Sequence, residues 1–356
     1  MPPAYQQTGL RMSRGNAGGS DLVRALQRDL RALGYLHHGI DGNFGPGTEI
    51  AIRALQYDLL HNHGESRGGD GRAPVAIADY NGAALAGGGQ AVTAVTGVLD
   101  QDLAACIAHL LDDAAMIKLP SAADPSVQNA QAMQVIRALA STSAPTPFIA
   151  AMLQQESNGQ HYRVPSQTDG DNFVMIGLDR GNRDQPDQIT SRGYGIGQYT
   201  IFHHPPRPDE LHDFILDPVR NVQRAFLELR AKFDSFVVGP TDRADDRTAE
   251  HKLLPLRLCK YATGDARYMR DCQACAATAR KIDIHRGTPA YSGATFGYQP
   301  DQYYPSAEYH GVPDRADFLC DWPYAARRYN GSGNDSFHYQ CRILLNVLAG
   351  PAPVGG

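Results

Sequence analysis

Between residues 21 and 60 the chain carries two apolar stripes at helical spacing, separated by one glycine-bearing turn, and few folds accommodate that order. Leu22, Leu26, Leu30 and Leu33 fall on one helix face, and Gly34 then supplies a C-terminal stop. Ile40-Asp41-Gly42-Asn43-Phe44-Gly45 follows, a turn whose glycines allow positive φ around an inserted aromatic. A second helix is expected with Thr48, Ala51, Ile52, Leu55 and Leu59 on one face. A Gly/Ala-rich insertion from His61 to Thr96 is expected as a long loop or small extension. Leu99 to Asp113 then gives an amphipathic helix suited to be the displaced third member of the module.

From about Val127 onward the pattern is again mostly helical, with long Pro/Gly/Tyr-rich loops and no period-2 alternation strong enough for a large sheet. The expected fold class is mainly α: a small three-helix module plus a mostly helical second domain with long loops. A chain of 356 residues is long enough for roughly two or three cores. The expected divisions are a flexible N-terminus at 1–20, the module at 21–115, a linker at 116–130 and a site-bearing domain at 131–350.

Hydrophobic residues at 42% and charged residues at 20% suit a globular protein. Net charge is −5 with no Lys/Arg run, which gives no nucleic-acid footprint. No stretch reaches the ~18 apolar residues of a membrane helix. Met1 to Ser20 lacks the apolar run of a secretory signal, so synthesis in the cytoplasm followed by export or release by other means is expected. The six cysteines are Cys106, Cys259, Cys272, Cys275, Cys320 and Cys341. Cys272-x-x-Cys275, with Cys259 and His285, has the ligand types for zinc, but a disulfide or two with buried thiols is the favoured reading, and no metal or cofactor is expected.

The chemistry-bearing positions begin at Thr146-Pro147, a hydroxyl cap with proline at the first helical position. Phe148, Ile149, Met152 and Leu153 form the apolar stripe, and Glu156 continues it at i+4 from Met152. A carboxyl there sits at the edge of a core, where desolvation favours its protonated form, as protonation of a glycosidic oxygen requires. Downstream, Ser191-Arg192-Gly193-Tyr194-Gly195-Ile196-Gly197-Gln198-Tyr199-Thr200 has glycines at alternate positions, which let backbone approach a ligand, and an amide in Gln198 suited to sugar hydroxyls. The bland reading of that stretch is a glycine-rich turn before a helix. Asp217-Pro218 starts another helix with Val222, Phe226, Leu229, Phe233 and Phe236 buried. Ala325-Ala326-Arg327-Arg328-Tyr329-Asn330-Gly331 ends a further one.

Two family resemblances rest on these residues. Val23-x-x-Leu26-Gln27-x-x-Leu30, Leu33-Gly34-Tyr35, Asp41-Gly42-x-Phe44-Gly45 and Thr48-x-x-Ala51-x-x-x-Leu55-Gln56 resemble the peptidoglycan-binding domain family. Glu-Ser at 156–157, Gly-Ile-Gly-Gln at 195–198, Asp-Pro-x-x-Asn-Val at 217–222 and Tyr-Asn-Gly at 329–331, in that order, resemble the lysozyme-like lytic transglycosylase superfamily, which includes goose-type lysozyme. The second resemblance implies a lysozyme-like domain with Glu156 as general acid/base. Ser157, Gly195, Gln198, Tyr199, Tyr329 and Asn330 would line its glycan cleft. Two features depart from the pattern: a long spacing between Glu156 and Gln198, carrying Asp169, Asp171, Asp179, Asp184 and Asp187, and a Cys/Tyr-rich stretch from Cys259 to Cys320.

The resemblance implies cleavage of the β-1,4 bond between N-acetylmuramic acid and N-acetylglucosamine, giving a 1,6-anhydro product. Hydrolysis by a muramidase, with a second carboxylate from Asp169, Asp171 or Asp179 positioning water, is the close alternative. Activity on chitin and a non-catalytic wall-binding role are the others. The expected partner is peptidoglycan, with an immunity protein or secretion-system component if the chain is a delivered toxin. A phage lysin is the other setting. The expected place of action is the cell wall.

Overall fold

In the computed structural model the residues described are 4–6, 9–16, 18–64, 75–83, 91–139, 144, 146–177, 187–235, 322–331, 339, 342–343 and 346–347. The protein is mainly helical. Its elements are α1 (Ser20–Ala32), α2 (Pro46–His61), α3 (Asp79–Ala83), α4 (Gln101–Asp112), α5 (Pro125–Leu139), α6 (Thr146–Ser157), β1 (Arg192–Tyr194), β2 (Tyr199–Ile201), α7 (Pro208–Glu210), α8 (Pro218–Phe233) and α9 (Trp322–Asn330). The chain divides into two compact units, Met1–Asn129 with Gln160–Asn221, and Ala130–Gly159 with Val222–Gly356.

In the first unit the predicted stripes of α1, α2 and α4 meet in one core. Leu26, Leu30 and Leu33 pack with Ile52, Leu55 and Leu59 and with Leu103, Ile107 and Leu110. Each such leucine or isoleucine contributes about 1.5–3 kcal/mol by leaving water. Leu22 is only partly buried, and Val23 takes its place on the inner face. The stop after α1 is as expected: Gly34 adopts φ +83°, and backbone bonds from Tyr35 and Leu36 to the Leu30 carbonyl close the helix end. Asp100 caps α4 by accepting from the Leu103 N–H at 3.0 Å. The insertion between α2 and α4 contributes α3, pinned where Tyr80 donates to Asp113 at 2.9 Å.

Two stretches expected to be loose are held in place. In the 1–20 segment, Tyr5 is 1% exposed and donates to Asp29 at 2.6 Å. Met12 is buried and exchanges backbone bonds with Leu99 at 2.9 Å each. The expected 116–130 linker is likewise anchored. Leu119 N–H bonds Ala32 at 2.7 Å, Ala122 N–H bonds Asn172 at 2.9 Å, and α5 begins at Pro125. Apolar side chains inside both stretches (Tyr5, Met12, Leu119, Ala122) supply the reason, since burying them fixes the backbone that carries them.

Residues 160–221, which follow Glu156 in sequence, belong to this same unit. β1 and β2 pair antiparallel, Arg192 opposite Ile201 and Tyr194 opposite Tyr199. The glycine-rich stretch is therefore a hairpin and not a turn leading into a helix. After β2, α7 runs into a π-helical turn at Leu211–Ile215. Asp217 then caps α8, accepting from Val219 N–H at 2.8 Å.

In the second unit, Phe148, Ile149, Met152 and Leu153 of α6 are buried as their spacing predicts, and α6 packs against α9. Phe226, Leu229 and Phe233 of α8 are buried, with Phe233 stacked on Trp322 at 4.2 Å between ring centroids. Phe236, Asp179 and every cysteine except Cys106 lie outside the described residues, and with them the disulfide and zinc expectations. Cys106 is buried and free, its thiol pushed up to about 11 by burial first.

Candidate functional site

The module's turn is organised by one buried amide. Gln27, 1% exposed, donates to Asp41 Oδ1 at 2.8 Å and to the Asn43 carbonyl at 3.0 Å, while its oxygen accepts from Gly42 N–H at 2.8 Å. A side chain on α1 thus supplies partners that the residue 41–43 backbone would otherwise seek in water. The outer flank of the turn is held by residues far along the chain. Ile40 N–H donates to Asp169 Oδ1 at 2.8 Å, and Gly170 N–H donates to the Ile40 carbonyl at 3.1 Å.

Asp169 and Asp171, named above as candidates for a second carboxylate, are both committed there. Asp171 has a fully buried side chain and meets Arg31 at 2.7 Å and Arg163 at 3.0 Å. Burial raises the Asp171 carboxyl and the two guanidiniums counteract it, while burial lowers Arg31 to about 10. Asp169 is held by Arg163 at 3.1 Å and by the Ile40 and Asp171 N–H groups. A water-activating carboxylate needs an oxygen open to solvent, and Asp171 has none. Asp187 is paired too, in a two-point contact with Arg53 at 2.8 and 2.6 Å.

The hairpin turn Gly195–Gln198 is supported by two buried polar residues. Asn221 donates to the Tyr194 and Phe214 carbonyls at 3.0 and 2.9 Å and accepts from Gly197 N–H at 2.7 Å. His161, wholly buried, donates from Nε2 to the Ile215 carbonyl at 2.9 Å and accepts at Nδ1 from Ile196 N–H at 3.3 Å. That network assigns the neutral tautomer, and burial lowers the ring to about 4. Gly195 has φ +72°, and a Cβ there would lie 2.5 Å from Asn221 and 2.6 Å from His161. Its glycine is explained by the fold. Gln198 bends back on its own turn, with φ +49° and its amide nitrogen on the Gly195 carbonyl at 2.6 Å. Its oxygen occupies the space a Cβ on Gly177 or Gly193 would need. Tyr199 is half-buried, edge-on to Phe214 at 4.5 Å.

Glu156 lies in the last turn of α6, half-buried, one step before the helix ends. Asn158 and Gly159 take φ +56° and +71°, and Gly159 N–H bonds back to the Leu153 carbonyl at 3.2 Å. Ser157 is buried, its hydroxyl donating to the Leu153 carbonyl at 3.1 Å. Facing Glu156 is a residue that the motifs did not mark. Tyr339 is 6% exposed, and its buried hydroxyl lies close enough to Glu156 to feel that carboxyl's charge. Burial first, then the Glu156 charge and contact, hold that phenol well above its ordinary value, with Tyr329 adding a smaller push. Within this unit the structure therefore gathers Glu156, Tyr339 and Tyr329, the last half-buried near the end of α9 beside exposed Asn330. Tyr339 did carry a sequence signal: with Ile343 and Val347 it makes a buried i, i+4, i+8 stripe.

Among the described residues no helix is long and apolar enough to cross a membrane, and no three His, Cys, Asp or Glu side chains cluster as a metal site would require. No curated protein and no solved structure matches the chain. Residues 19–59, which hold α1, the Gln27-braced turn and most of α2, match the peptidoglycan binding domain family, which supports a cell-wall-related protein with peptidoglycan as its partner.

Proposed function

We propose that this chain cleaves the glycan strands of peptidoglycan, with Glu156 as general acid and then base. One observation carries the reading: a half-buried carboxyl at the end of an apolar helix, with a buried phenol beside it. The carbonyl end of α6 disfavours a negative charge there, and the buried Tyr339 ring shields one side of the carboxyl from water. A carboxyl so placed can give a proton to a glycosidic oxygen and take one back. The wall-binding module supplies the polymer.

In this scheme Glu156 protonates the leaving oxygen between N-acetylmuramic acid and N-acetylglucosamine. The substrate's own N-acetyl oxygen closes on C1 as the bond breaks. The resulting carboxylate removes the proton from the muramic 6-hydroxyl, whose oxygen displaces the N-acetyl oxygen from C1 and leaves a 1,6-anhydro end. Ser157, Tyr329 and Asn330 are the proposed glycan contacts near Glu156. The commitment of Asp171 to two arginines leaves that residue no open oxygen for a water-dependent route. Mass spectrometry of sacculi digested by the purified protein tests this. Anhydro ends support the transglycosylase, reducing ends convert it to a muramidase, and identical behaviour of the parent and Glu156→Gln removes the enzyme.

A further inference from the structure

Arg28 lies on the exposed side of α1, outside the cluster that binds Asp171. Its guanidinium stands 5.2 Å from the Phe173 ring centroid, and that ring is 6% exposed. Its two terminal nitrogens reach only neutral oxygens, the Gly170 carbonyl at 3.3 Å and Asn172 Oδ1 at 3.4 Å. Both contacts are long, and among the described residues no ion pair reaches Arg28. The carboxylates of the neighbouring cluster are already matched. Arg31 and Arg163 share Asp171, and Arg163 also holds Asp169. Half-buried Asp29, which accepts the Tyr5 hydroxyl at 2.6 Å, feels the Arg28 charge but makes no close ion pair with it.

The surface beneath Arg28 is built, not incidental. Asn172 donates its amide N–H to the Ala122 carbonyl at 2.7 Å, which turns its oxygen toward Arg28. Phe173 N–H donates to Asp171 Oδ1 at 3.0 Å, and its carbonyl accepts from Arg163 N–H at 2.9 Å. A guanidinium braced over a ring and oriented by neutral acceptors keeps its charge and part of its planar donor fork for an anion from outside. Carboxylates are the anions its geometry fits in two-point fashion. The stem peptides of peptidoglycan carry them in quantity.

We propose that Arg28, with Phe173, Gly170 and Asn172, forms a subsite of the wall-binding unit for stem-peptide carboxylates, an inference that rests on the module binding peptidoglycan. Three of these four residues lie outside the stretch that matches the family. The subsite gives residues 170–173 a part in wall recognition.

Co-sedimentation with purified sacculi tests it, using the full chain carrying Glu156→Gln so that the wall is not consumed. Sacculi are used untreated, or with carboxylates converted to neutral methylamides by carbodiimide and methylamine. Arg28→Gln is expected to weaken binding to untreated sacculi by about fivefold, and more at low salt than at high. Blocking the carboxylates is expected to weaken the parent by the same factor and to leave Arg28→Gln unchanged, as in a double-mutant cycle. Arg28→Lys, which keeps charge but not the fork, is expected to recover only part, and it decides the matter if Arg28→Gln melts early. Equal binding by parent and Arg28→Gln, or additive losses on blocked sacculi, overturns the subsite while leaving wall binding intact. Failure of the parent to bind untreated sacculi overturns the wall-binding reading itself.

Discussion

The loop that carries Asp171 and the helix end that carries Glu156 both place a carboxyl on apolar ground, and the two differ in their exposure to water. Asp171 is sealed from solvent between two guanidiniums, so its charge is matched at close range. Glu156 is half-buried and keeps contact with solvent, with the buried Tyr339 phenol beside it. Matched charge fixes a carboxylate as structure. A carboxyl that keeps solvent access can still exchange a proton. Burial alone does not nominate a catalytic carboxyl; access to water matters as much.

The strongest way to break this contrast is at Glu156. Glu156→Gln is expected to lower sacculus-clearing activity by about 10²–10⁴-fold with sacculus binding and thermal stability nearly unchanged. Clearing at the parent rate would sink the catalytic role. Asp171→Asn is expected to do the reverse. It leaves Arg31 buried without a matching charge, so urea unfolding should show a loss of about 3–5 kcal/mol. An unchanged midpoint would mean that Arg31 finds another partner.

A third test uses pH on the same unit. His161 stays neutral in the folded state, its ring lowered to about 4 against an ordinary 6.5. Between those values the unfolded chain takes up a proton that the folded one refuses. Its contribution is therefore complete above about pH 6.5 and is lost as pH falls toward 4, by about 3 kcal/mol in all. Asp58, raised to about 7 by burial, acts with the opposite sign. Ring-nitrogen NMR therefore isolates His161, and a signal that titrates near pH 6.5 would contradict the buried network. The smallest expected effect is at Tyr339. Tyr339→Phe keeps the ring and removes the hydroxyl, and should lower the cleavage rate about three- to tenfold with little change in stability. A pH–rate profile identical to the parent's would leave Tyr339 as packing only.

How much of this the sequence could give depended on the range of the interaction. The helices α1, α2, α4, α6 and α8 were legible because their hydrogen bonds join residues four apart and their buried faces repeat with that period. Thr48, Ala51, Ile52, Leu55 and Leu59 are all buried, as their spacing predicts. The turn at Asp41–Gly45 was legible from its glycines, though not the Gln27 amide that braces it. The packing of Tyr5 and Met12 was missed, because two apolar residues in a Gly/Ser-rich stretch make no period.

Periodicity and turn residues were enough to read a mainly α chain, a helical pair that resembles a peptidoglycan-binding module and a carboxyl at the end of an apolar helix. That Asp171 closes onto Arg31, that Gln198 folds into its own turn and that Tyr339 lies beside Glu156 came from the packing of the folded chain. The physical reason is common to all three. In each a polar group loses water to protein neighbours, and packing settles which: distant segments at Asp171 and Tyr339, and the Gly177 and Gly193 backbone around Gln198.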